Sequence, residues 1–281
     1  MSLQNKIDFA VVISVNNANP NGDPLDGNRP RTNFDGLGEI SDVCIKRKIR
    51  NRLQDMGERI FVQSDERSDD GCTSLRDRAE RDENLKSLLK GKNSKEYANM
   101  ACEKWIDVRS FGQVFAFKGT DISLGIRGPV SVHTAMSLDM VDIASMQITK
   151  SVNSEADKDK KASDTMGTKH RVNFGVYVIY GSINTQLAER TGFSDDDSEK
   201  IKQALITLFE NDCSSARPDG SMEVHKVIWW KHNSKTGQYS SAKVHRTLKI
   251  DKATIKTSQD VEAAFSLEPL EGLTVEIYDG I

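Results

Sequence analysis

Long apolar runs are missing from this 281-residue chain. Its hydrophobic stretches, the one around Ala10 to Ile13 included, fall far short of the roughly 20 residues that cross a bilayer. No basic-then-apolar leader opens the sequence, so secretion and membrane insertion are not expected and a cytoplasmic location is. Cysteine is scarce. Cys44, Cys72, Cys102 and Cys213 stand far apart, with no Cys-x-x-Cys pair and no His-x-x-x-His beside them, so reduced thiols are expected and a zinc site is not. The histidines His133, His170, His225, His232 and His245 are equally scattered. A calcium loop centred on Gly22 would need carboxylates where Asn17 and Asn28 stand. No metal and no cofactor is expected. Gly-x-Ser-x-Gly, His-Glu-x-x-His, the P-loop and Gly-x-Gly-x-x-Gly are absent as well, which argues against an enzyme. Excess charge of one sign is also lacking. With 39 basic and 42 acidic residues the net charge is −3, so any nucleic-acid role must rest on local charge.

What is present is a globular balance, 37% hydrophobic and 29% charged, long enough for one large domain with insertions. Ile7, Phe9, Val11, Ile13 and Val15 recur at period two, which predicts a strand with one well-buried face. It ends in a polar loop rich in Asn, Gly and Pro that runs to Gly38. Ser41 is the predicted N-cap of a helix whose apolar stripe is Ile45, Ile49, Leu53 and Met56. Residues 62–99 are dense in both charge signs and read as an inserted helical lobe, helical around Leu75–Leu89. Val108–Phe117 and Ile122–Ala135 read as strand-rich. Ser151–Thr168 has the composition of an exposed hairpin tip. Val172–Ile183, Met222–Lys231 and Leu273–Tyr278 are further strands, and Ser194 begins a second helix. The element order suggests an α+β fold of split βαβ type, with helices on one sheet face.

Local charge is uneven. From Arg29 to Arg52, seven basic residues face three acidic ones. Lys46 and Arg50 flank one side of the helix stripe, and Lys48 and Arg52 the other, so both flanks are expected to be cationic. Together with the loop residues Asn19, Asn21, Arg29 and Arg31 they suit phosphates, and alanine at Lys46, Lys48 and Arg50 is expected to weaken RNA binding without harming the fold. Arg109 before a strand, Arg127 at a bend, and Met166, Lys169, His170 and Arg171 after the hairpin tip are further RNA-contact candidates. Trp229 and Trp230 could stack bases, although alternation puts at least one in the core. A histidine such as His170 or His133 could alternatively serve a metal-independent endoribonuclease as general acid or base.

Asn19-Pro-Asn-Gly-Asp-Pro24, Gly27-Asn-Arg-Pro-Arg31, Ser41 to Asn51, Asp107-Val-Arg-Ser-Phe-Gly112, Arg127-Gly-Pro-Val130, Thr165 to His170 and Ala188 to Ser194 occur in order. Jointly they resemble the backbone subunit of the type I-C CRISPR Cascade surveillance complex. The resemblance implies an RNA-recognition-motif-like (ferredoxin-like) palm over 7–56, 105–145 and 172–281, helical fingers over 57–104 and a thumb hairpin over 146–171. It also implies a non-catalytic, oligomerising subunit of antiviral defence, with guide RNA (crRNA), further copies of itself, other Cascade subunits and, through the guided complex, target DNA as partners. Arg29, Arg31, Lys46, Lys48, Arg50 and Arg109 would then follow the RNA backbone, with Met166 and Lys169 at the thumb.

Overall fold

The computed structural model describes residues 2–89, 93–119, 123–151 and 166–281. Strand β1 (Ile7–Ala18) leads through the short strands β2 (Gly22–Asp23) and β3 (Arg29–Pro30) to β4 (Leu37–Ile40) and helix α1 (Asp42–Asp55). Helices α2 (Leu75–Glu80), α3 (Glu83–Leu89), α4 (Ser94–Lys104) and α5 (Ile106–Phe111) follow. Next come β5 (Gly112–Ala116), β6 (Ser123–Arg127), β7 (Val130–Val132), β8 (Ala135–Met140), β9 (Ile143–Thr149) and the long β10 (Met166–Ile183). Helices α6 (Thr185–Thr191) and α7 (Asp195–Ile206) precede β11 (Met222–Lys231). The remainder holds α8 (Ser241–His245), β12 (Leu248–Ile250), α9 (Val261–Ala264), β13 (Phe265–Leu267) and β14 (Thr274–Asp279).

The main sheet runs β14-β11-β1-β10-β8-β4 with antiparallel pairing, and β7 and β9 also pair with β10. Helix α1 lies in the connection from β1 to β8, and α7 in the connection from β10 to β11. Two split βαβ units therefore interleave. Ile45, Ile49 and Leu53 of α1 and Ile201, Ala204 and Leu205 of α7 share a core with Phe9, Val11, Ile13, Ile179 and Trp229 on one sheet face. The helical stripe and the odd positions of β1 are the sequence signals that meet there.

The other face of β1 departs from the expectation of polar exposure. Asp8, Ala10, Val12 and Ser14 are buried as well. Ala10 and Val12 join Val176, Val178, Ile228 and Trp230 in a second core, roofed by Val244, Leu248 and Val261 from the C-terminal segment. The sheet is thus sandwiched between two layers. Asp8 tolerates this burial because Lys6 and His232 reach its carboxylate at 3.1 and 2.8 Å.

The helical insertion has a core of its own, built on Phe61, Leu85, Tyr97, Ala101, Trp105 and Phe115, with Leu124 and Ile126 packed against it. The β5–β6 hairpin therefore packs with the helices. Val108–Phe117, expected to be strand-rich, is helical up to Phe111 and turns to strand only at Gly112, whose positive φ of 80° ends the helix. Of the tip segment expected over Ser151–Thr168, residues 152–165 lie outside the described residues.

Candidate nucleic-acid interface

The β1–β4 loop joins two elements: through Asn21 the N-terminus of α1, and through Arg29 the base of the β9–β10 hairpin. Ser41 caps α1 by accepting from the Cys44 amide (3.2 Å). Its own N–H and hydroxyl both donate to Asn21 Oδ1 at 2.9 Å, so Asn21 ties the loop to the helix. Asn19 is buried, with Nδ2 donating to the Asn28 carbonyl (2.6 Å). Asn28 and Gly27 adopt positive φ, the conformation that lets this loop fold back on itself. Arg31 pairs with Asp23 at 3.3 Å, and its amide donates to the Asn21 carbonyl. Arg29 reaches out of the loop, its Nη1 donating to Ser145 Oγ on β9 (2.9 Å). Ser145 Oγ lies 2.8 Å from His170 Nδ1 on β10, which completes a relay from loop to hairpin.

The hairpin register sorts the remaining candidates. Lys169 pairs with Met146 and Arg171 with Ala144, while Met166 pairs with Thr149 and His170 with Ser145. Partners in an antiparallel pair share a face, so Lys169 and Arg171 lie on one side and Met166 and His170 on the other. Met146, Ile148 and Met166 are exposed apolar side chains on this cationic hairpin. Leu25 and Phe34 are almost fully exposed in the neighbouring loop.

Four cations expected on the free surface are committed elsewhere. Lys48 is 4% exposed and paired with Asp212, and burial pushes its pKa down. Arg50 Nε donates to Asp107 Oδ2 (3.0 Å), and its guanidinium lies 4.9 Å from the Phe111 ring. Arg52 meets Glu210 and donates to Thr207 Oγ1 (2.6 Å). Arg109 holds Asp197. The expectation of two open cationic flanks on α1 is thereby corrected, because carboxylates remote in sequence neutralise one flank and Arg50 on the other. Lys46 keeps a local pair with Asp42 at 3.0 Å. Arg127 is exposed at the end of β6, opposite Gly112 in the helical lobe's hairpin. Trp229 and Trp230 are both core. Trp229 stacks on Phe9 with 5.6 Å between centroids, and Trp230 faces the second core. Phe115 is buried among the helices and, like Trp229 and Trp230, cannot stack bases.

Residues 5–267 match the family model described as CRISPR-associated protein Cas7. The chain belongs to the Cas7 family. A Haloferax volcanii relative, "CRISPR-associated protein Cas7", is 26% identical over 238 residues, covering 76% of this chain and 67% of that protein. A chain of a "CRISPR RNA-guided surveillance complex, pre-nicking" shares the fold with a TM-score of 0.50 at 14% identity, over 80% of this chain and 78% of that one. A chain of a "CRISPR RNA-guided surveillance complex" is similar at a TM-score of 0.45 and 15% identity, over 95% and 77% of the two chains.

The Cas7 match includes the loop, α1 and the hairpin base, so the junction belongs to the family-shared part of the chain. Two residues of this Cas7 chain, Ser145 in the junction and Asp107 outside it, carry no signal of their role in the sequence. Ser145 sits in an unremarkable strand, and only the β9–β10 register brings it to His170 and Arg29. Asp107 opens one of the family-like motifs, yet its role is internal: its carboxylate accepts from the Phe61 and Val62 amides (2.7 and 3.0 Å) and from Arg50. No helix of this Cas7 chain among the described residues is long and apolar enough to cross a membrane.

Proposed function

We propose that this chain is a non-catalytic backbone subunit of a CRISPR surveillance complex of type I-C, which oligomerises along guide RNA and supports target-DNA recognition. The strand order and the two split βαβ units support reading the main sheet as an RNA-recognition-motif-like palm. In that reading the helical core around Tyr97 is the fingers and the β9–β10 hairpin the thumb. The name of the solved assembly matched at a TM-score of 0.50, an RNA-guided surveillance complex, supports guide RNA and other complex subunits as partners.

The carrying observation is the Arg29–Ser145–His170 relay. It ties the loop arginine to the hairpin while Asn21 ties the same loop to the cap of α1, and the sheet face away from α1 and α7 is sealed by the C-terminal segment. Such a surface grips phosphates and sugars without reading sequence, as suits a protein whose specificity is delegated to base pairing. RNA contacts are assigned to Arg29, Arg31, Lys46 and His170, with Met166 against a base on the same side of the hairpin as His170, and to Lys169 and Arg171 on its other side. Asn19 and Asn21 set the loop's shape, and Lys48, Arg50 and Arg109 hold the elements that present it.

Anisotropy with labelled single-stranded RNA at several salt concentrations tests this. The Arg29→Ala, Lys169→Ala double variant should bind roughly tenfold more weakly. Its salt slope should fall by about 1.4, since each phosphate that the protein ceases to neutralise accounts for ~0.7. Unchanged affinity and slope in a folded variant would sink the assignment.

A further inference from the structure

Strand β14 is the edge of the main sheet at the opposite end from β4. Its register with β11 runs without a shift from Thr274 opposite Lys231 to Asp279 opposite Lys226. Gly280 continues it, its amide donating to the His225 carbonyl (3.4 Å). Alternate residues of an antiparallel pair bond the neighbouring strand, so Thr274, Glu276 and Tyr278 share their backbone bonds with β11. The N–H and C=O groups of Val275, Ile277 and Asp279 point outward, and no backbone hydrogen bond among the described residues engages them. The Val275 and Ile277 side chains are exposed too, on the face where their partners Trp230 and Ile228 belong to the second core. The strand holds no proline, no lysine and no bulge, devices by which other edges resist further pairing. Its other face is acidic. Glu276, drawn to Lys202 (3.2 Å) and the Tyr278 hydroxyl (2.6 Å), lines a cavity of about 300 Å³ with Asp195, Asp196 and Glu199 of α7 and one lysine, Lys231. Three lysines of this region each serve two carboxylates: Lys202 meets Glu199 and Glu276, Lys226 meets Glu262 and Asp279, and Lys200 meets Glu58 and Asp196. Negative charge is in surplus along the edge.

We propose that β14 is a docking edge for an extended segment of a partner protein in which apolar and basic residues alternate. The backbone of such a segment pairs with the outward groups of Val275, Ile277 and Asp279 and adds a strand to the sheet. Successive side chains of a strand point to opposite faces. One set therefore meets Val275 and Ile277 and extends the second core, while the other reaches Glu276 and the α7 carboxylates. An acidic segment would meet repulsion on one face, and so would a nucleic-acid strand. The edge is separate from the surface proposed for guide RNA, since neither β14 nor α7 carries a residue of the Arg29–Ser145–His170 relay.

Two labelled, end-capped peptides test this by anisotropy on the full chain. One is Val-Lys-Val-Lys-Val-Lys; the other, Val-Val-Val-Lys-Lys-Lys, has the same composition and charge without the alternation. The alternating peptide should bind roughly tenfold or more tightly than the block peptide. Ile277→Pro removes one outward N–H and leaves the β11 ladder intact. Ile277→Lys sets a like charge before the incoming strand, and it carries the test should the proline variant fail to fold. Each should weaken the alternating peptide by roughly tenfold or more while single-stranded RNA binds as it does to the parent. Equal affinity for the two peptides, no binding up to about 1 mM, or unchanged affinity in Ile277→Lys overturns the proposal. A parallel loss of RNA affinity in that variant overturns the separateness of the edge and the proposal with it. Sedimentation of the chain alone covers the remaining occupant: a dimer that Ile277→Lys dissolves would assign the edge to a second copy and overturn the proposal.

Discussion

Arg109 grips Asp197 with two prongs, Nε donating to Oδ2 at 3.0 Å and Nη2 to Oδ1 at 2.7 Å. The same carboxylate closes the capping box of α7, accepting from the Ser194 amide at 2.9 Å. One ion pair thus fastens α5, at the root of the helical lobe, to the second helix of the main core. Burial alone would raise the Asp197 pKa, but the bonds from Arg109 and Ser194 hold it below the usual carboxylate value. Removing either partner strands a charge in a protected site. Asp197→Ala should cost about 3 kcal/mol, and Arg109→Ala about 2 kcal/mol because Asp197 keeps its cap bonds. Urea unfolding of the two variants and their double mutant checks this; fully additive losses would mean that the pair is not coupled.

Gly181 leaves no room for a side chain. A Cβ there would collide with the Phe9 ring and stand 2.6 Å from the Ser131 carbonyl oxygen. Phe9 is fully buried against Trp229 and cannot swing away. Gly181→Ala should therefore lower stability by roughly 3 kcal/mol, or forfeit soluble expression. A thermal midpoint within a degree of the parent would contradict this packing.

His245 gives the fold a pH dependence near neutrality. Burial pushes its imidazole below the ordinary histidine value, although Nε2 lies 3.0 Å from the Gly181 carbonyl and that bond pulls the other way. Tyr180 stacks on it at 4.8 Å and His133 stands edge-on at 5.7 Å. The unfolded chain takes up a proton near pH 6.5 that the folded chain refuses, so stability should fall as pH drops below that value. His245→Gln keeps a donor toward Gly181, and it should flatten the decline measured between pH 7.5 and 5.5. The depressed Asp8 and Asp197 act in a different window, their contribution vanishing only as pH falls below about 4.

Much of the architecture was legible in the residues. The bounds expected for β11, Met222 to Lys231, coincide with the strand, and the caps Ser41 and Ser194 begin α1 and α7 as anticipated. The caps are local chemistry, a side-chain oxygen meeting an amide three residues on, and need no tertiary information. The candidate site was legible only in part. Arg29 and His170 do come together, yet no pattern announced Ser145 between them. Alanine at Lys48 and Arg50, expected to spare the fold, instead breaks buried pairs with Asp212 and Asp107.

By itself the sequence determined the strands, the capped helices and the ordered motifs of a Cas7-family chain, since each is written in residues a few positions apart. Tertiary structure alone decided which cations stay free. Asp212 reaches Lys48 from 164 positions away, and Asp197 reaches Arg109 from 88. It also decided that the second face of β1 is dry, because the roof over it comes from the far end of the chain. Charge and hydropathy patterns record what a residue prefers; whether a partner or a covering layer arrives is settled by the chain's path in space.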